Sequence, residues 1–129
     1  MQECNIWVIC QYFSEERYNE ICPDDLEKFL QLFPHQKLFQ CIGRDNDFMY
    51  LKKDKDIYRV KESLLKTTEE PKFKIGETVI LINKNEKAVV VSIGWHYKLA
   101  EAIYTVSIYG YVKRTRYFGK DLKVIYDIV

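Results

Sequence analysis

The chain is poor in the residues that build flexible, cross-linked or phosphate-cradling proteins. Of its 129 residues only 5 are glycine and 3 proline. That excludes collagen-like repeats and a low-complexity disordered chain. No Walker loop, GxSxG, HExxH or GxGxxG stretch occurs, so the common phosphate-binding, nucleophile and zinc signatures are missing. The four cysteines, at 4, 10, 22 and 41, form no CxxC pair, and the 2 histidines do not cluster with them. Such spacing fits no common zinc pattern and predicts reduced, half-buried thiols. The longest apolar runs are about four or five residues, such as Ala88–Val91, far short of the roughly 20 needed to span a bilayer. The opening Met1-Gln-Glu-Cys-Asn-Ile-Trp lacks a basic region followed by a long apolar stretch. Together these absences predict a cytoplasmic protein with no membrane contact, no metal and no cofactor.

Aromatic residues are abundant, at 15%, with 10 tyrosines and 7 phenylalanines. Apolar residues make up 47% and charged residues 30%, the composition of an ordinary globular chain. A chain of this size buries roughly two thirds of its unfolded surface, enough for a core without staples. Net charge is +1, but its distribution is uneven. Residues 1–70 carry 10 Lys/Arg against 14 Asp/Glu, whereas residues 71–129 carry 10 against 5. The split predicts two modules with different faces and argues against a bulk nucleic-acid binder, which is normally basic throughout.

Residues 4–10 read as a strand rich in β-branched and aromatic residues. Ser14 is placed to cap a short helix with Glu15 and Glu16 in its first turn. The clearest helix is 23–33, where Pro23 suits the first position and Leu26, Phe29, Leu30 and Phe33 recur at one-face spacing. Pro34 ends it. Strands follow at 38–43, 47–53 and 56–61, and 62–71 reads as a polar linker closing a first module of residues 1–70. In the second module, residues 71–129, strands are expected at 78–82, 87–93, 102–109, 112–118 and 123–127. A long aromatic loop is expected at 94–101 and a short turn at Gly119. Five short strands in so few residues is the spacing of a small barrel.

Three groups of residues could carry function. Trp95, His96 and Tyr97 follow the second strand of the second module and suit a protein-contact patch or an aromatic ligand cage, since Trp and Tyr bury much area at little rotamer cost. Lys113, Arg114 and Arg116, flanked by Tyr111 and Tyr117, suit phosphate contact and base stacking. On a regular strand 114 and 116 share one face and 113 and 115 the other. Glu15, Glu16, Glu20, Asp24, Asp25 and Glu27 suit a steering surface for a basic partner. Each group also has an ordinary structural explanation: a packed core aromatic, a charged edge strand, and a solvated helix with dipole partners. His96 with Asp121 or Lys113 is the best candidate acid–base pair, and a two-histidine site would need His35 as well. With no other signature for chemistry, catalysis is not expected.

Phe73-Lys-Ile-Gly76-Glu77-Thr-Val79 resembles the opening of SH3-like barrels of the KOW and Tudor type. Val89–His96, Tyr104-Thr-Val and Arg116–Leu122 resemble their later strands. The string Trp95-His96, Tyr104, Arg116-Tyr117 and Asp121-Leu122 is also similar to small bacterial immunity-type proteins of polymorphic-toxin and contact-dependent inhibition systems. The resemblance to SH3-like barrels covers roughly residues 72–127 and implies a C-terminal five-stranded SH3-like β-barrel. With the helix and strands read in residues 1–70, the expected fold is α+β, an N-terminal α/β module packed on that barrel. The similarity to immunity-type proteins implies a non-catalytic immunity protein that occludes the active site of a cognate toxin, a basic nuclease domain. The alternative is a nucleic-acid-binding module that holds RNA through the basic hairpin 111–118.

Overall fold

The computed structural model describes residues 2–125. The chain divides at Glu70/Pro71 into two compact units, residues 1–70 and 71–129. Each is built on its own five-stranded antiparallel sheet and has its own buried cluster.

Unit 1 contains β1 (Gln2–Cys10), α1 (Leu26–Gln31), β2 (Leu38–Arg44), β3 (Met49–Lys53), β4 (Asp56–Val60) and β5 (Leu65–Thr68), with strand order β4-β3-β2-β1-β5. Alternate residues supply its buried face: Val8 and Cys10 from β1, Phe39 and Cys41 from β2, Met49 and Leu51 from β3, Tyr58 and Val60 from β4. Phe13, Ile21 and Phe29, from the chain between β1 and β2, complete the cluster. That connecting chain is less helical than its spacing predicts. Residues Glu15–Glu20 form a 3-10 turn whose Ser14 makes no side-chain cap bond. Pro23 and the two aspartates lie in a turn, and α1 begins only at Leu26. The expected apolar face holds for Phe29, which is fully buried, and in part for Leu26 and Leu30. It fails at Phe33, which takes a left-handed φ of 50° beyond the helix end and is 76% exposed. The supposed linker 62–71 is also structured. Glu62–Leu64 makes a 3-10 turn that buries Leu64, and β5 pairs with β1 from Trp7↔Thr68 to Cys10↔Leu65.

Unit 2 contains β6 (Thr78–Leu81), β7 (Glu86–His96), β8 (Glu101–Ile108), β9 (Tyr111–Phe118), a 3-10 turn at Gly119–Asp121 and β10 (Leu122–Val124), with strand order β10-β6-β7-β8-β9. Phe73, Val79, Leu81, Val90, Tyr104, Val106 and Leu122 are among the residues that fill its core. The expected loop 94–101 is shorter than predicted, because β7 continues through Trp95 and His96 and pairs them with Ala102 and Glu101. The expected last strand extends to residues 126 and 127, which lie outside the described residues.

The α+β expectation, with an α/β module at the N-terminus, is therefore corrected. The protein is mostly β, with 52% strand and 15% helix when the 3-10 turns are included. Among the described residues α1 is the single α-helix, and it has six residues. Every named strand pair is antiparallel. Antiparallel neighbours can be joined by tight hairpins and need no crossover helix of the kind an α/β sheet requires.

Candidate functional site

The β8–β9 hairpin is built by a two-residue loop, Tyr109-Gly110, closed by the pair Ile108↔Tyr111. Both loop residues have positive φ, 51° and 81°, the type I′ turn whose twist matches that of the strands it joins. Register runs from Ile108↔Tyr111 to Ser107↔Val112 and resumes at Thr105↔Arg116. Three residues, Lys113, Arg114 and Thr115, thus face the single residue Val106. The expected alternation of 114 and 116 against 113 and 115 is corrected: this bulge takes Lys113, Arg114 and Thr115 off the ladder. β9 is an edge strand, and its side chains from Tyr111 through Arg116 are all exposed.

No Asp or Glu occurs between residues 102 and 120. The ion pairs found among the described residues all lie in unit 1. Lys113, Arg114 and Arg116 therefore have no carboxylate partner among the described residues. Tyr117, predicted to stack beside them, is buried in the core opposite Tyr104 and is inaccessible to a ligand. The exposed tyrosines are others: Tyr109, 93% exposed, and Tyr111, 74%. Gly110 between two alternating segments carried the signal, because glycine takes the positive φ of a two-residue hairpin turn without steric cost.

Trp95, His96 and Tyr97 do not form one open patch. Trp95 and His96 are half-buried at the end of β7. The Nδ1 of His96 accepts the Leu99 N–H at 3.2 Å across the following turn, which places the proton of the neutral ring on Nε2. Its ring lies 5.6 Å from Phe118 and stacks on Tyr97 at 6.5 Å. Tyr97 alone is exposed, with Lys98 Nζ 6.0 Å from its ring centre. Asp121, the expected partner of His96, instead accepts the Phe118 N–H at 3.0 Å. His35 is in unit 1, where its Nδ1 accepts the Phe13 N–H at 3.4 Å. Each imidazole thus commits its basic nitrogen to a backbone amide. Among the described residues, no three His, Cys, Asp or Glu side chains come together in a metal-ligating group. Burial pushes the Cys10 thiol up to about 12, which keeps it unreactive at neutral pH.

The acidic segment is divided between fold and surface. Asp25 accepts the Arg59 N–H at 2.8 Å and Nε at 2.9 Å, tying the start of α1 to β4. Burial alone would raise the Asp25 carboxyl, but its bonds to the Arg59 side chain and amide overcome this and hold it below the usual range. Glu20 accepts Arg17 Nε at 2.5 Å and the Ser63 hydroxyl, and the Arg17 bond is the largest cause holding its carboxyl down at about 2. Glu15, Glu16, Asp24 and Glu27 are exposed and have no such tie to the backbone, although Asp24 Oδ2 lies 3.7 Å from Arg59 Nη2.

Because Glu20 and Asp25 have lower pKa values folded than unfolded, their contribution is complete above the unfolded carboxylate range and is lost as pH falls. The melting temperature of the protein is expected to drop between about pH 5 and pH 2. Glu20→Gln is expected to lower it near pH 7 and to flatten that acid limb; an unchanged limb would show that the Arg17–Glu20–Ser63 cluster contributes nothing.

On the outer face of the unit 2 sheet, Thr78, Val89, Ser107 and Val112 stand in one cross-strand row over β6, β7, β8 and β9. A groove of about 370 Å³ lies over this face, bounded by Tyr109 and by the β6–β7 turn at Asn85. No helix among the described residues is long and apolar enough to cross a membrane. No curated protein and no solved structure matches this chain. One family model matches residues 1–123 and so runs through both units: the chain belongs to the family described as a "Family of unknown function (DUF6960)".

Proposed function

We propose that this is a non-catalytic binding protein and that the β8–β9 hairpin of unit 2 binds single-stranded nucleic acid. The observation that carries this reading is the cluster of Lys113, Arg114 and Arg116 on a bulged edge strand, without carboxylate partners among the described residues and beside exposed Tyr109 and Tyr111. Lys113 and Arg114, set off the ladder, and Arg116, where pairing resumes, can follow a phosphate backbone, and the tyrosines offer faces to unstacked bases. Charge and a bulge also prevent edge-to-edge pairing. That protective role does not require two bare tyrosines beside the charges.

The test is fluorescence anisotropy of a labelled single-stranded oligonucleotide across a salt series. Three phosphate contacts predict a log–log slope of about −2. The variant Lys113→Ala/Arg114→Ala/Arg116→Ala is expected to bind at least about tenfold more weakly at low salt, with a nearly flat slope. A wild-type protein that does not bind, or binds without salt dependence, would overturn the proposal.

The toxin-neutralising immunity role is a second reading, supported by the carboxylates Glu15, Glu16, Asp24 and Glu27 on the surface of unit 1. A dense carboxylate surface steers a basic protein toward it. Affinity capture from nuclease-treated extract separates the two readings. A single basic protein partner, lost in Glu15→Gln/Glu16→Gln/Asp24→Asn/Glu27→Gln, supports the immunity role. Capture that vanishes with nuclease treatment supports the hairpin.

A further inference from the structure

Tyr109 occupies a position that stability alone would give to another residue. In a two-residue loop with positive φ at both positions, asparagine or aspartate is favoured first and glycine second. A β-carbon in the left-handed region is penalised, and asparagine tolerates it better than a bulky aromatic. Tyr109 nevertheless takes a φ of 51° and leaves its ring 93% exposed. It gains little burial in return. Residues held in unfavourable backbone conformations cluster at functional sites and ligand clamps.

The surroundings of the ring point to a ligand. Tyr109 forms a wall of the outer-face groove, whose volume of about 370 Å³ is at the small end of the roughly 300–1,000 Å³ typical of ligand sites. Val89 supplies an exposed apolar floor, and Thr78 and Ser107 flank it in the same cross-strand row. Asn85 and Lys87 complete its polar lining. Among the described residues, the side-chain hydrogen bonds of unit 2 involve Tyr104, Glu77, His96 and Asp121. The hydroxyls of Thr78 and Ser107 and the amide of Asn85 are therefore uncommitted to the described part of the protein. Glu86 is the single carboxylate of the lining. A flat aromatic wall, a small apolar floor and a few free donor–acceptor groups suit a planar heterocycle. The cations of the bulge lie on the strand that leaves this same turn.

We propose that the groove beside Tyr109 seats one unstacked nucleobase, with the Tyr109 ring stacked on it and Lys113, Arg114 and Arg116 holding the adjoining phosphates. This inference rests on the nucleic-acid reading of the hairpin. Hydroxyl and amide groups both donate and accept, so the seat takes purines and pyrimidines alike, and specificity for single strands comes from the need for an unstacked base.

The experiment compares a short oligo(dT) with an abasic oligomer of the same length and charge. Wild-type protein is expected to bind oligo(dT) about five- to 150-fold more tightly, the range of one base–aromatic stack. Tyr109→Asn is expected to remove that preference while keeping the affinity for the abasic oligomer and its salt slope. Its melting temperature is expected to equal or exceed that of wild type, which separates lost stacking from lost folding. Tyr109→Phe is expected to keep the preference. Salt-dependent binding with equal affinity for both oligomers would overturn the base seat and leave the phosphate contacts standing. Absence of binding to either oligomer would overturn both.

Discussion

Phe29→Ala is expected to destabilise unit 1 by about 3–5 kcal/mol, the cost of removing a fully buried phenylalanine. The ring is wholly inaccessible and lies 5.6 Å from the rings of both Phe39 and Tyr58. Offset and tilted aromatic contacts of this kind add to simple area burial. The residue also has a second role. A six-residue helix has no stability of its own, because nucleation is costly and few turns follow it. Phe29 is the one fully buried residue of α1, so the alanine variant is expected to loosen the helix from the sheet as well as leave a cavity. Urea unfolding followed by circular dichroism measures the loss. Phe33→Ala serves as the internal control. It lies four residues on, at the same nominal face, but is exposed, and its substitution is expected to change stability by no more than about 0.5 kcal/mol. Equal effects at the two positions would mean that the core of unit 1 does not distinguish Phe29 from Phe33.

Tyr104→Ala is expected to cost unit 2 about 3–5 kcal/mol or slightly more, and Tyr104→Phe about 1–3 kcal/mol. The two variants separate packing from hydrogen bonding. The ring is 1% exposed and meets Phe73 edge-on at 5.4 Å. The hydroxyl accepts the N–H of Lys72 at 2.9 Å and of Phe73 at 3.4 Å. Phenylalanine keeps the ring but leaves those amides without their acceptor, and an unpaired buried N–H forfeits its hydration. Burial pushes the Tyr104 phenol above its ordinary value, so the group remains neutral and competent to accept at neutral pH. Thermal unfolding of both variants gives the comparison. A neutral Tyr104→Phe would show that water replaces the hydroxyl. A neutral Tyr104→Ala would exclude this residue from the core.

Much of the strand content is legible locally. Val79 and Leu81, or Val106 and Ile108, alternate with exposed or half-buried neighbours, and period two is enough to mark them as strands with one buried face. The turns at Asp54-Lys55 and Gly110 are legible for the same reason, since short polar or glycine-containing breaks separate the alternating runs. The candidate site is legible in its charges but not in its geometry. Lys113, Arg114 and Arg116 are plain in the sequence, whereas the bulge that sets residues 113–115 off the ladder is not. A bulge is a mismatch between two strands and leaves no mark on either one alone. Tyr117 illustrates the consequence: proximity in the chain places it with the cations, while the register resumed at Arg116 turns it into the core.

The segment 11–37 is where local pattern misleads most. Its acidic residues, proline and four-residue apolar spacing describe a longer helix than forms. Asp25 decides part of this, because its carboxylate is taken by Arg59, which lies 34 residues away in the chain. Likewise β5 has only four residues, and it is a strand because the end of β1 offers it a free edge. His96 reads as a candidate for chemistry until the turn folds back and donates the Leu99 N–H to its ring.

By itself the sequence determined the period-two strands, the acidic and basic halves, and the cationic run near residue 114, because side-chain alternation and charge are properties of neighbours along the chain. Sheet order, the β9 bulge, the burial of Tyr117, the Asp25–Arg59 tie and the bare Tyr109 were decided only by the tertiary structure. Each depends on which distant backbone supplies a strand's partner, and that choice is made by loop closure and core packing across the whole unit.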